Sequence, residues 1–322
     1  MANPNIAELT VTSALYNRTR KMADNVTLHN ALLSRLKEKG KVKPVSGGRQ
    51  IMQELEYDEN GTVTRLSGYD EVDISPSDVF TAAVFDYKQY AVAVSISRLE
   101  QLQNAGKEQM IDLLEARIQN AERSLLNTIA VDCYSDGTAS GSKQIGGLQL
   151  LVPDDPTTGT VGGINRATWS FWRPYLWDFS VQSVTASATT IQASMNTTYM
   201  NVTRGKDHPD LIVMDNVYYG FFLASMQNIQ RVTNPKLSEL GFENTKFLGA
   251  DVIFDGGIGG GCPASHAYML NTDYIHLRPH RDENFVVSND RFSTNQLAMI
   301  KLISWAGNMT ISNSSLQAIM HA

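Results

Sequence analysis

"SGGRQIMQELEYDENGTVTRLSGYDEV", from Ser46 to Val72, reads as two short strands around a turn. Asn60-Gly61 at its centre is the strongest two-residue hairpin signal, because both residues tolerate positive φ. That turn sets Glu59 opposite Thr62, Tyr57 opposite Thr64, Glu56 opposite Arg65 and Leu55 opposite Leu66. The register supplies one opposite-charge pair and one apolar pair, each contributing about 0.2–1 kcal/mol. Neither face is clearly apolar, and two strands with so little apolar surface are marginal alone. The hairpin is expected to find its support outside itself.

The segment before it is basic. Up to Arg49 the cations are Arg18, Arg20, Lys21, Arg35, Lys37, Lys39, Lys41, Lys43 and Arg49, against only Glu8, Asp24 and Glu38. The whole chain has net charge -6, so the remainder is strongly acidic. The basic segment reads either as a solvated connector or as a contact for an acidic partner, nucleic acid or another copy of the chain. No recognition motif accompanies the charge, which argues against a separate DNA-reading domain. Within it, Val26, Leu28, Leu32, Leu33 and Leu36 have near-helical spacing, and Gly40 is a natural stop. Lys41 to Gly48 reads as a linker.

The remaining elements mix strands and helices without a regular βαβ repeat. Asp78 to Ser97, rich in Val, Phe and Tyr, reads as a long strand, and "SRLEQLQNAG" as a short helix ended by Gly106. Lys107 to Tyr134 repeats apolar residues at three- and four-residue steps, predicting a helix about 40 Å long. Asp136-Gly137 ends it. Thr185 to Val202 reads as a helix. Leu211 to Met214 reads as a buried strand, with a helix from Asp215. Several strands follow, two of them in the tail. With 322 residues, this order predicts an α+β fold of two packed units.

Chemistry-bearing motifs are weak. "DGGIGGGCP", Asp255 to Pro263, lacks phosphate-loop spacing and is followed by Pro263 and a strand, not a helix. His276 and His280 stand four apart, but Pro279 between them argues against a helical metal pair. Cys133 and Cys262 are the only cysteines, which fits a reducing compartment and makes a disulfide framework unexpected. Trp169, Trp172 and Trp177 read as core or as a subunit contact. No nucleophile, base and orienting group come together, so the chain does not read as an enzyme. No catalytic, cofactor or metal residues are expected. No apolar run approaches a membrane span, and the start does not read as a secretory signal.

The order of parts resembles the major capsid proteins of tailed bacteriophages, the Hong Kong 97-type fold. The phrases carrying it are "GGRQIMQELEY…GYDEVDISPSD", "AERSLLNTIAVDCYSDG", "HPDLIVMDNVYYGFF" and "GADVIFDGGIGG…AYMLNTDYIHLRPH". The resemblance implies an N-terminal arm over 1–45 and an extended loop over 46–75. It implies a peripheral domain from 76–139 and 285–322, with the long helix as its spine, and an axial domain over 140–284. It implies a subunit that assembles with itself as pentamers and hexamers into an icosahedral shell around double-stranded DNA. A portal and a decoration or cement protein are the further partners it brings. Because the arm begins almost at once, a separate scaffolding protein is expected. The location implied is the virion capsid, assembled in the cytoplasm of a bacterial host.

Arg49, Glu54, Glu56, Tyr57, Asn60, Gly61 and Arg65 are the expected intersubunit contacts. Arg35, Lys37, Lys39, Lys41 and Lys43 are expected to meet a neighbour or the DNA side. Some members cross-link through a lysine in the extended loop; here no lysine lies between Lys43 and Lys88, so a non-covalent shell is expected. Two other readings stay open. One is an encapsulin-type compartment with the same fold. The other is a nucleotide-binding enzyme using the glycines near Gly261.

Overall fold

The computed structural model describes residues 31–103, 113–226, 245–256, 261–289, 291–293 and 295–322. Arg18, Arg20, Lys21, the start of the long helix and the centre of the Gly-rich loop lie outside them. The chain divides into two compact units. One is built on residues 90–128 and 283–305, the other on residues 29–89, 129–282 and 306–322.

In the second unit, helix α1 (Ala31–Glu38) leads to strands β1 (Ile51–Glu56) and β2 (Phe80–Phe85). Strand β3 (Lys88–Ser97) leads into the other unit, so Asp78 to Ser97 is two strands broken at Asp86 and Tyr87. Helix α2 (Arg98–Gln103) starts at a capping box: the Glu100 carboxylate accepts from Ser97 N at 3.0 Å, and Ser97 Oγ accepts from Glu100 N at 3.2 Å. Arg117 on helix α3 (Leu113–Asp132) donates to both Glu100 oxygens, which holds that carboxyl below its usual range. The apolar repeat of α3 buries Ala121, Leu125 and Ile129.

A small hairpin, β4 (Thr160–Val161) and β5 (Ile164–Asn165), precedes β6 (Tyr175–Asp178). Gly162 at its turn has φ 61°, and a Cβ there would lie 2.8 Å from Ala83 Cβ, so only glycine fits against β2. Helix α4 (Ile191–Asn201) and strand β7 (Leu211–Met214) follow. Helix α5 (Asn216–Ser225) is capped by Asp215, whose Oδ1 accepts from Tyr218 N at 2.9 Å while Oδ2 accepts from Ser265 N at 2.7 Å. The later strands are β8 (Thr245–Phe247), β9 (Ala250–Phe254), β10 (His266–Leu270), β11 (Ile275–Val287), β12 (Arg291–Phe292), β13 (Ala298–Ile311) and β14 (Ala318–His321).

Six strands make the central sheet in the order β6-β14-β10-β7-β9-β8. Every residue of β7 is buried, as the run "LIVM" requires of a central strand. Its core joins Ile212, Met214, Val252, Met269 and Met320 to Ile191 and Met195 of α4 and Tyr218 and Phe222 of α5. A second sheet pairs β11, β13 and β12, with β3 also on β13.

The tail departs from the sequence reading. Ala298–Ile311 is one strand of the second sheet, but β14 leaves it. It pairs antiparallel with β10 and parallel with β6, because Ala318, Ile319 and Met320 complete the buried face of the central sheet. Residues 306–322 and the β1–β2 pair group in one unit with the central sheet.

Candidate assembly elements

The predicted hairpin exists with a different partner. Glu56 pairs with Phe80, Leu55 with Thr81, Glu54 with Ala82 and Ile51 with Phe85. The register through Asn60-Gly61, with Glu56 opposite Arg65 and Leu55 opposite Leu66, is not the one formed. Burial decides against it. Phe80–Phe85 brings Ala83 and Phe85 beside Ile51 and Leu55, and all four are buried. Residues 62–66 offer only Val63 and Leu66, both exposed. Neither Asn60 nor Gly61 has positive φ. Instead Asn60 Oδ1 accepts from Thr62 N at 3.0 Å and from Thr62 Oγ1 at 2.7 Å, a local side-chain turn.

Residues 57–79 therefore form a long excursion between the paired strands. Its base is tied: Tyr57 N donates to Val79 O at 3.0 Å, and Tyr57 Oη to Asp78 O at 2.6 Å. The Tyr57 ring packs on Trp169 and Phe171 at centroid distances of 5.5 and 5.6 Å. Beyond the base the hydrogen bonds are short-range, such as Ser67 N to Asp70 and Ser75 N to Asp73. Val63, Leu66, Tyr69, Val72 and Ile74 are all exposed, Tyr69 completely. Arg49, Glu54, Glu56, Asn60, Gly61 and Arg65 are also exposed, and Tyr57 is half-buried. A groove of ≈ 480 Å³ lies beside the base, lined by Tyr57, Phe80, Ala82, Val84, Trp169 and Phe171. Trp172, next to it, is core, and its Nε1 donates to Val161 O at 3.0 Å.

The basic segment splits into two sets. Leu32 and Leu36 on α1 are fully buried, and Arg35 beside them forms a buried ion pair with Asp251. Arg35 also reaches Glu38 at 2.8 Å. Lys39 pairs with Asp210, whose carboxylate also accepts from Thr272 N at 2.8 Å and Thr272 Oγ1 at 2.7 Å. Burial lowers the Lys39 ammonium to about 8. Lys41 pairs with Asp273 at 2.6 Å. So Arg35, Lys39 and Lys41 are engaged by acids of their own chain. Lys37, Lys43 and Arg49 remain exposed. The intervening residues are not a free linker. Val42 and Val45 bridge in parallel to Leu277 and His280 on β11.

The weaker motifs take structural places. Strand β10, not a helix, follows the Gly-rich loop. A Cβ on Gly261 would lie 2.3 Å from the Tyr134 ring, so that glycine serves packing. Tyr134 Oη donates to Asp255, whose carboxyl is raised by burial. His276 and His280 lie on β11, His276 buried and His280 edge-on to Tyr87. Both cysteines are free thiols, raised by burial. Among the described residues no group of three or more His, Cys, Asp or Glu is placed to hold a metal. Among them, too, no helix is long and apolar enough to cross a membrane.

No family model matches the chain, and no curated protein matches it in sequence. Solved structures match it end to end. The capsid asymmetric unit of cyanophage A-1(L) aligns with TM-score 0.62 and 17% identity, over 97% of this chain and 98% of that one. A structure from Mycobacterium phage Bobi aligns with TM-score 0.59 and 11% identity, over 99% of both chains. The holo-SrpI encapsulin complex from Synechococcus elongatus PCC 7942 aligns with TM-score 0.58 and 8% identity, over 100% of this chain and 96% of that one. This likeness across the whole length gives the protein the α+β fold of these structures, the Hong Kong 97-type capsid fold.

Proposed function

We propose that the chain is the major capsid protein of a tailed phage, a non-enzymatic subunit that assembles into an icosahedral shell around double-stranded DNA. The observation that carries this reading is the excursion over 57–79. It projects Val63, Leu66, Tyr69, Val72 and Ile74 into solvent and buries none of them in its own chain. A row of exposed apolar side chains on one segment marks an interaction surface. Repeated around a ring, one modest contact per copy closes a shell. The excursion then lies on an adjacent copy in pentamers and hexamers, with Glu54, Glu56 and Arg65 meeting charges there. With no lysine between Lys43 and Lys88, that contact is non-covalent. Scaffolding, portal and decoration proteins are the partners this role brings, in a virion assembled in the host cytoplasm. Negative-stain electron microscopy of the purified protein tests it. Closed shells tens of nanometres across are expected; protein that stays monomeric at high concentration contradicts it.

A compartment holding protein cargo is the second reading, favoured by the encapsulin likeness. Co-purified nucleic acid inside the shells separates it from the first, where co-purified protein would favour it.

A further inference from the structure

The strap over residues 41–45 carries a charge arrangement that neither shell reading explains. Two parallel bridges, Val42 with Leu277 and Val45 with His280, fix one register. Four backbone hydrogen bonds hold it: Lys43 N to Leu277 O and Val45 N to Pro279 O, both 2.9 Å, Leu277 N to Lys41 O at 3.1 Å and Arg281 N to Val45 O at 2.9 Å. That register sets Lys41 beside His276 and Lys43 beside Arg278, on the face opposite Val42 and Leu277. Like charges side by side on neighbouring strands repel.

The local acid does not relieve this. Asp273 is the carboxylate facing His276, and Lys41 already holds it at 2.6 Å. Lys43 is exposed. Arg278 spends one nitrogen on the neutral Gln53 Oε1 at 2.7 Å, and its Nε is buried without a partner among the described residues. His276 lies beneath, 5% exposed, with neither ring nitrogen hydrogen-bonded among those residues. The charged groups facing it are Lys43, Arg278, Lys41 and Asp273, three cations to one committed carboxylate.

We propose that Lys43 and Arg278 form a binding site for a phosphate-class oxyanion. The guanidinium offers the N–H donors that Gln53 leaves free and the ammonium a mobile point charge, the two donor types that hold phosphate oxygens. A phosphate carries about two negative charges near neutral pH, enough to neutralise both cations. A single carboxylate neutralises one. The source is either free phosphate or successive phosphodiesters of a nucleic acid.

His276 reads the site out. Burial and the three cations hold its imidazole at about 4, so an anion seated above must raise it. Following the His276 ring resonances by NMR at pH 7, where phosphate keeps most of its second charge, 10 mM inorganic phosphate should shift them saturably, and chloride at equal ionic strength by much less. In the Lys43→Gln, Arg278→Gln double variant the imidazole should start higher and ignore phosphate. Lys43→Gln alone, at an exposed position, gives a reduced response even where the double variant folds poorly. A short DNA duplex distinguishes the source. If nucleic acid is the ligand, binding should show a log–log salt slope reduced by about 2 in the double variant. Phosphate response without DNA binding assigns the site to the free anion. The proposal is overturned if phosphate shifts His276 no more than chloride, or if acetate shifts it as far.

Discussion

Replacing Arg35 with leucine probes whether α1 is part of the subunit body. Arg35 and Asp251 have side chains 9% and 5% exposed, so both charges are withdrawn from water. Among the described residues, the replacement leaves the buried Asp251 carboxylate with only Lys246, 3.8 Å away and 41% exposed, to offset it. Breaking one partner of a buried pair costs about 3–5 kcal/mol, whereas an exposed pair is worth about 0–1 kcal/mol. Leucine fills much of the space beside Leu32 and Leu36, so the loss is mainly electrostatic. The expected cost is therefore about 3 kcal/mol. Urea denaturation of the unassembled subunit measures it, followed through the transition that unfolds the central sheet. The double variant Arg35→Leu, Asp251→Leu should recover most of the loss, because no orphan charge remains. A cost below 1 kcal/mol, or a double variant no better than the single one, would refute the buried pair and the docking of α1.

Further outcomes follow from other contacts. Asp215→Ala removes the α5 cap and leaves Ser265 N without its acceptor, so it should cost about 2 kcal/mol in thermal or urea unfolding. Gly261→Ala drives a methyl group into the Tyr134 ring and should destabilise by about 1–3 kcal/mol by the same assay. His276 gives a pH dependence of defined sign. Its folded value near 4 lies below the unfolded 6.5, so protons favour the unfolded chain. Stability should be full above pH 6.5 and fall by up to about 3 kcal/mol as pH drops toward 4; the His276→Leu variant should lack that component. Tyr69→Ser with Ile74→Ser, both on the excursion, should change subunit stability by less than about 0.5 kcal/mol yet reduce shell yield several-fold.

Much of the architecture was legible because local signals agreed with burial. "HPDLIVMDN" declares a buried strand and a capped helix start, and Leu211–Met214 with the Asp215 cap is what forms. The three- and four-residue repeat around Ala121, Leu125 and Ile129 marks the long helix. The hairpin register was not legible, because Asn60-Gly61 is a strong local signal overruled by a distant one. Strand β2 could offer Ala83 and Phe85 to Ile51 and Leu55, and residues 62–66 could not. Nor could sequence show that Arg35, Lys39 and Lys41 are already paired. Their acids, Asp251, Asp210 and Asp273, lie far along the chain, and only the meeting of α1 with the central sheet brings them together. The strand at Tyr175–Asp178 hid among tryptophans. It becomes visible only once β14 is seen to need a parallel partner.

A cryo-electron microscopy reconstruction of the assembled protein tests the central claim most directly. The account predicts a closed icosahedral shell in which residues 57–79 of each copy lie on an adjacent copy, with Val63, Leu66, Tyr69, Val72 or Ile74 covered there. The absence of closed particles, or shells in which those side chains stay in solvent or fold back on their own subunit, would contradict it.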